Sequence, residues 1–385
     1  MILHKKALGR NFIILVLCSL LPIIALGWHS LDIHSPHFND THEFLSKASL
    51  DYIESNYKNE YPDLVKFRKE LWDATDGVFD DVFEESETRI YYPGAHVVGH
   101  YTGVSSEDYQ SICKNKWDDY VLRDYNKSNF GGRWNAYWWI GQCAHLLEDT
   151  GVPAHACFID HGIISLLPPV YHSDHFESAG EEPIPGLANT VIMELTDKPW
   201  EFLYQGMYRT RAFVGSLWKQ FWLPYGEMEK YIKGSGRYGG PDNTDVFPDK
   251  FSDLGTGDNF TIMYYGQHHA VDFTASMLMA ASKKLPPVIT KAEVEDDCKF
   301  HLKFQENRTK TVKLKIKING SVYDQQNSYQ MQETKPDDYD KLPYESEDYI
   351  IPRSSLAASP SKVFVSITDG DSNSRRIAGS NMWRA

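Results

Sequence analysis

The sequence has no Gly-x-Ser-x-Gly elbow and no Gly-rich phosphate loop, so neither a serine-hydrolase mechanism nor a nucleotide-phosphate cradle is indicated. It has no evident internal repeat and no low-complexity tract. Cysteine is scarce, and its spacing matches no Cys-based zinc motif. Positive charge is in deficit, with 39 Lys and Arg against 53 Asp and Glu. That balance argues against nucleic acid as a partner, because a strand needs a basic track to neutralise its phosphates. A long membrane-spanning run is missing from the N-terminus as well. The apolar stretch Phe12 to Gly27 is 16 residues, short of the roughly 20 a spanning helix needs.

That short run has another use. Lys5, Lys6 and Arg10 precede it, and it ends Ala25-Leu26-Gly27, with small residues at −3 and −1 of a cleavage site. Residues 1–27 therefore read as a signal peptide, cut before Trp28, on a secreted or periplasmic protein. Its removal lowers the formal net charge from −14 to −17, an acidic balance that suits a protein gathering cations. Cys113, Cys143, Cys157 and Cys298 remain after cleavage. Export permits disulfides, and a Cys113–Cys143 or Cys143–Cys157 bridge is the expected use. Asn39, Asn126, Asn259, Asn307 and Asn319 each open an Asn-x-Ser/Thr sequon, which matters only in a source that glycosylates.

Beyond the leader, the 42% hydrophobic content supports a sizeable core, and the fold class reads as mostly α. Helices are expected over His42 to Tyr57 with Thr41 as N-cap, Leu64 to Trp72, Trp134 to Asp149, Trp200 to Leu223, and Ile262 to Lys284. Pro168-Pro169, Pro183-Ile184-Pro185 and the run Lys233 to Gly257 mark loops. After Pro286-Pro287 apolar and polar residues alternate, in Phe300 to Phe304, Val312 to Ile318 and Val363 to Ile367, with a hairpin signal at Asn319-Gly320. The chain thus divides into a helical domain over 28–287 and a small β-rich C-terminal domain over 288–385.

Chemistry concentrates in Gly141-Gln-Cys-Ala-His145-Leu-Leu-Glu-Asp149-Thr-Gly-Val-Pro153-Ala-His155. On a helix, His145 and Asp149 are four residues apart and share a face. Trp138 and Gly141 continue that face, and the glycine leaves room for something to approach the backbone. Gly151 and Pro153 then break the helix, so His155 can return toward the same point. Any one of these residues alone is explained by a hydrogen-bonded core side chain. Two imidazoles and a carboxylate together make a site for zinc, since buried Asp and His are costly unless paired or metal-bound.

The pattern His-x3-Asp-x5-His within "AHLLEDTGVPAH" resembles the core of the bacterial zinc-dependent phospholipases C, alpha-toxin included, which the single-strand-specific zinc nucleases share. The resemblance implies a helical bundle holding about three zinc ions, with the mature N-terminal Trp as a ligand through its amine and carbonyl. Trp28 fits that place, and Thr41-His42-Glu43-Phe44-Leu45 fits the first His-bearing helix. Asp81 (beside Asp80) and His100 (with His96 competing) fit the next Asp and His. The final His-x3-Glu is irregular here. His172 and Glu177 are the leading pair, with Asp174 or His175 as substitutes.

The implied activity is phosphodiester hydrolysis on a phospholipid, with Asp81 as both ligand and general base. The alternatives are a single-strand zinc nuclease and a non-catalytic exported metal-binding protein. The nucleases place their first His very near the N-terminal Trp, whereas 13 residues separate Trp28 from His42 here. The resemblance further implies that the C-terminal domain contacts a membrane surface, although no clear calcium-loop pattern is present. Most of the aromatics at Trp134, Tyr137, Trp138, Trp139, Trp200, Phe202, Tyr204, Trp218, Phe221 and Trp222 are expected in the core. N-terminal sequencing of exported protein should read Trp-His-Ser-Leu. An N-terminal extension should leave the protein folded and nearly inactive, and full activity with the extension in place would remove Trp28 from the site.

Overall fold

The computed structural model describes residues 41–75, 113–127, 132–151, 162–166, 169–172, 190–203, 205–206, 209–210, 256–296, 298–356 and 362–378. Its helical part contains α1 (Thr41–Tyr57), α2 (Pro62–Lys66), α3 (Arg68–Asp73), a π-helical turn (Trp117–Val121) leading into α4 (Leu122–Tyr125), α5 (Gly132–Asp149) and α6 (Thr256–Lys284). None of the described helices is long and apolar enough to cross a membrane.

α5 is buried on nearly every side, from Ala136 and Tyr137 to Glu148 and Asp149. Such a helix belongs in the middle of a bundle, and α1, α3, α4 and α6 all pack against it. Its approach to α3 is unusually close at Gly141, where a Cβ would stand 2.3 Å from the carbonyl oxygen of Leu71 and 2.6 Å from the Ala74 Cβ. Only glycine permits that contact, and Gln142 seals it by donating Nε2–H to the Ala74 carbonyl at 2.6 Å. On α1 the buried residues His42, Leu45, Ser46, Ser49, Leu50 and Ile53 recur at helical spacing and face α5 and α6.

Several sequence expectations are corrected. Thr41 is itself helical, so it lies inside α1 rather than capping it. The helix expected over Leu64 to Trp72 is two short ones, broken at Phe67, whose φ/ψ of −101°/23° leaves the helical region. The fully buried Phe67 ring stacks on Tyr137 of α5, centroids 4.2 Å apart, and the chain turns to keep it there. Pro169, read as loop, opens β2 (Pro169–His172), which pairs antiparallel with β1 (Gly162–Leu166). A proline is tolerated at a strand's first residue. Of the helix expected over Trp200 to Leu223, residues 201–203, 205–206 and 209–210 are helical and the remainder past 210 lies outside the described residues. Cys113 and Cys143 lie side by side, but each sulfur points at the other residue's carbonyl oxygen, at 4.0 and 3.9 Å, and no disulfide joins them. Cys157 lies outside the described residues.

After α6 the chain forms two antiparallel sheets. One runs β11 (Ser374–Ala378), β10 (Val363–Thr368), β5 (Thr311–Ile318), β6 (Ser321–Gln330). The other runs β3 (Val288–Val294), β4 (Phe300–Glu306), β8 (Tyr344–Glu345), β7 (Gln332–Glu333), with β9 (Tyr349–Ile351) also on β4. Alternate residues Phe300, Leu302 and Phe304 of one sheet share a core with Val312, Leu314, Ile316, Val363, Val365 and Ile367 of the other, as in a β-sandwich. The β5–β6 hairpin turns at Asn319 and Gly320, with φ of 50° and 86°, a pair of positive values that fits the type I′ turn signalled by Asn-Gly.

The link between β4 and β5 seats the sandwich on the bundle. Asp63 of α2, fully buried, accepts from Tyr137 of α5 at 2.8 Å, Ser282 of α6 at 2.8 Å and Asn307 Nδ2–H at 2.9 Å. Arg308 donates Nε–H to the Glu60 carbonyl at 3.2 Å and lies over the Tyr61 ring. Lys66 reaches Thr334 and the Lys335 carbonyl, and its burial lowers its pKa to about 8. Beside this seam, burial pushes the Glu306 carboxyl up to about 8, with the nearby Asp369 and Asp63 carboxylates adding to the rise. Folded protein therefore holds a proton that unfolded protein releases near pH 4.3. Stability contributed by this group is full below about pH 4.3 and falls as pH rises toward about 8. Glu306→Gln should raise Tm at pH 8 by several degrees, at roughly 2–4 °C per kcal/mol, while changing it little at pH 4. Equal Tm shifts at both pH values, measured by thermal unfolding, would contradict this.

Candidate metal centre

His42 lies in the first turn of α1, while His145 and Asp149 lie one turn apart at the C-terminal end of α5. The packing of α1 on α5 brings the three together. One donor atom from each lies within 4.8 Å of the others, and all three residues are buried. His42 Nε2 is 3.4 Å from Asp149 Oδ1, and His145 Nε2 is 4.0 Å from Asp149 Oδ2. The two imidazole rings stack with centroids 4.1 Å apart and planes inclined by 26°. Among the described residues this is the one cluster of His, Cys, Asp and Glu with a metal-ligand arrangement. Two imidazole nitrogens and a carboxylate oxygen in a dry setting are the donor chemistry of zinc.

Glu148 completes the arrangement and was not anticipated as part of it. Its side chain has no exposed surface. His42 Nδ1 lies 3.0 Å from one of its oxygens, Ser46 donates to the other at 2.7 Å, and Thr274 of α6 reaches it at 3.4 Å. A carboxylate at Nδ1 favours the tautomer that leaves the His42 Nε2 lone pair facing Asp149. This is the carboxylate–histidine support that orients metal-binding imidazoles. Burial raises the Glu148 carboxyl, and the hydrogen bonds from His42 and Ser46 oppose the rise. A signal was present in the sequence. Glu148 stands three residues after His145 in a helix with few other charges, and a buried acid needs donors.

The helix ends where the sequence indicated. Thr150 and Gly151 turn back on the Leu147 and Glu148 carbonyls at 3.0 and 2.8 Å. A Cβ at Gly151 would stand 2.9 Å from the Gly266 carbonyl oxygen, so the glycine also allows α6 to close on the ligand-bearing end. His172 closes β2, its backbone paired opposite Gly162. Trp28, Asp81, His100, His155 and Glu177, together with Asp80, His96, Asp174 and His175, lie outside the described residues. Of the expected aromatic core, Tyr137, Trp139 and Phe202 are buried, Trp138 and Trp200 are half-buried, and Trp134 is exposed.

No family model and no curated protein matches the chain. Among solved structures, the alpha-toxin from Clostridium absonum aligns over 88% of this chain and 92% of its own, with a TM-score of 0.26 and 11% sequence identity. An alignment that loose carries no argument, so the centre is read from its own residues.

His145→Ala and Asp149→Ala should each lose metal and lower Tm, since ligand binding energy is also folding energy. Glu148→Gln should keep the fold and weaken zinc binding by roughly 10–100-fold. Elemental analysis and chelator competition on protein purified without chelator measure both. Absence of stoichiometric metal in the unmodified protein would end the assignment.

Proposed function

We propose that this chain is an exported zinc-dependent phosphodiesterase of the phospholipase C type. His42, His145 and Asp149 hold metal together with Trp28, Asp81, His100, His155, His172 and Glu177, for about three zinc ions in all. The observation that supports it is the convergence of His42 from α1 with His145 and Asp149 from α5 into one buried donor set. The sequence resemblance assigns these same three residues to the metal core. Zinc bound there supplies hydroxide near neutral pH and neutralises phosphate charge.

The chain's own residues set the conditions for that chemistry. Glu148 fixes the His42 ring and its tautomer through the contact at Nδ1. The burial of His42, His145 and Asp149 excludes water from their donor atoms, which strengthens every charge interaction inside. By the resemblance, Asp81 accepts the proton of the attacking water. A choline phospholipid brings one phosphate to the site, whereas a nucleic-acid strand brings many to a surface with few cations to meet them.

A panel assay tests this. Expected is hydrolysis on the glycerol side of a choline phospholipid or a small soluble diester, with little action on single-stranded DNA or RNA. Rapid release of 5′-nucleotides with phospholipids untouched would select the nuclease. Stoichiometric zinc with no diester hydrolysed would select the non-catalytic binding protein.

A further inference from the structure

At the other end of α5 a crevice of about 330 Å³ opens between the bundle and the β-sandwich. It is lined by Glu70 of α3, Trp134 of the first turn of α5, and Asp337, Asp338, Tyr339 and Asp340 of the segment between β7 and β8. Trp134 precedes His145 by about 16 Å of helix axis, so the crevice is built without the metal-centre residues.

Four carboxylates and two aromatic rings line it, with no cationic side chain in its lining among the described residues. Neighbouring cations answer part of that charge from outside. Lys341 stands 3.7 Å from Asp338, and Arg133 acts on Asp340. Lys66 is hydrogen-bonded to Thr334 and the Lys335 carbonyl, and from there its charge also acts on Asp338 and Asp337. Glu70, with Lys69 acting on it from the same helix, and Asp337 make no direct ion pair among the described residues, and the buried Glu70 Oε2 has no hydrogen-bond donor among them. Trp134 and Tyr339 are 37% and 46% exposed. Two large rings open to water in one acidic crevice make a face suited to a cation with apolar substituents.

We propose that this crevice binds an organic cation of the quaternary-ammonium class, its alkyl groups against Trp134 and Tyr339 and its charge answered by Glu70 and Asp337. Aromatic faces attract cations through their quadrupole, and quaternary ammonium groups are recognised this way. The volume lies within the range of small-ligand sites. A divalent metal fits less well, because the acidic groups here do not bring three donor atoms to ligand distance, as His42, His145 and Asp149 do. A primary ammonium also wants converging acceptors, whereas dispersed carboxylates beside aromatic rings suit a diffuse, weakly hydrated charge.

The full mature protein is titrated with tetramethylammonium chloride and with choline chloride, against sodium chloride at matched ionic strength. Tryptophan fluorescence and calorimetry are the readouts. Saturable binding is expected, with a dissociation constant on the order of millimolar. Trp134→Leu should weaken it by about tenfold or more and Asp337→Asn by about threefold; both positions are on the surface, so the fold is retained. Phosphatidylcholine vesicles, compared with phosphatidylglycerol vesicles, separate the two sources of such a group. Vesicle binding abolished by Trp134→Leu makes a lipid headgroup the source, and saturation by soluble cation alone makes it a solute; both uphold the site. No saturation beyond the sodium chloride control, or undiminished affinity in Trp134→Leu, would overturn it. Neither readout needs metal or hydrolysis, so this site and the phosphodiesterase stand or fall separately.

Discussion

Glu148 sits with no exposed surface where α1, α5 and α6 meet, and the arrangement of that end of the bundle depends on its carboxylate being answered. His42 and Ser46 come to it from α1, and Thr274 comes from α6. Removing such donors from a buried charge costs several kcal/mol, so α1 cannot slide or rotate on α5 without breaking them. The same bonds set the angle at which His42 meets His145 and Asp149. One carboxylate thus fixes a helix register and the orientation of a donor atom at once, and the packing of the bundle and the shape of its ligand set are one constraint.

Asp63 repeats this arrangement at the seam with the sandwich. It too is fully buried, and it takes hydrogen bonds from α5, from α6 and from the link between β4 and β5. Burial raises its carboxyl, with the three donors working against that rise. Asn373 adds a bond to the Lys283 carbonyl at the end of α6, at 2.6 Å. The two parts meet through specific polar contacts that demand one geometry, in addition to the apolar contacts around them.

What was legible in the sequence was what local chemistry dictates. The α5 helix and its terminus, the i, i+4 placement of His145 and Asp149, and the Asn319-Gly320 turn all follow from spacing and backbone preference. Gly141 was read as leaving room for an approach, but its partner, the Leu71 carbonyl, depends on how two helices cross. Glu148 was missed for the same reason: its role exists only through residues 102 to 126 positions away. The break at Phe67 was hidden because its cause is a ring stack across the bundle. His172 was singled out by resemblance as a ligand, and the strand it closes was not read, although the β-branched and aromatic residues before it favour one.

Asn307 has a consequence for how the protein can be made. Its side chain is 1% exposed and donates to Asp63 and to the Ser282 carbonyl, yet Asn307-Arg308-Thr309 reads as a glycan acceptor. A eukaryotic secretory pathway modifies such sequons on the nascent chain, before the β4–β5 link has docked. A sugar on that nitrogen replaces the hydrogen bond with a bulky polar chain, in a place with no room for one. The choice of expression host therefore decides whether the sandwich can seat on the bundle, with no change in the encoded sequence.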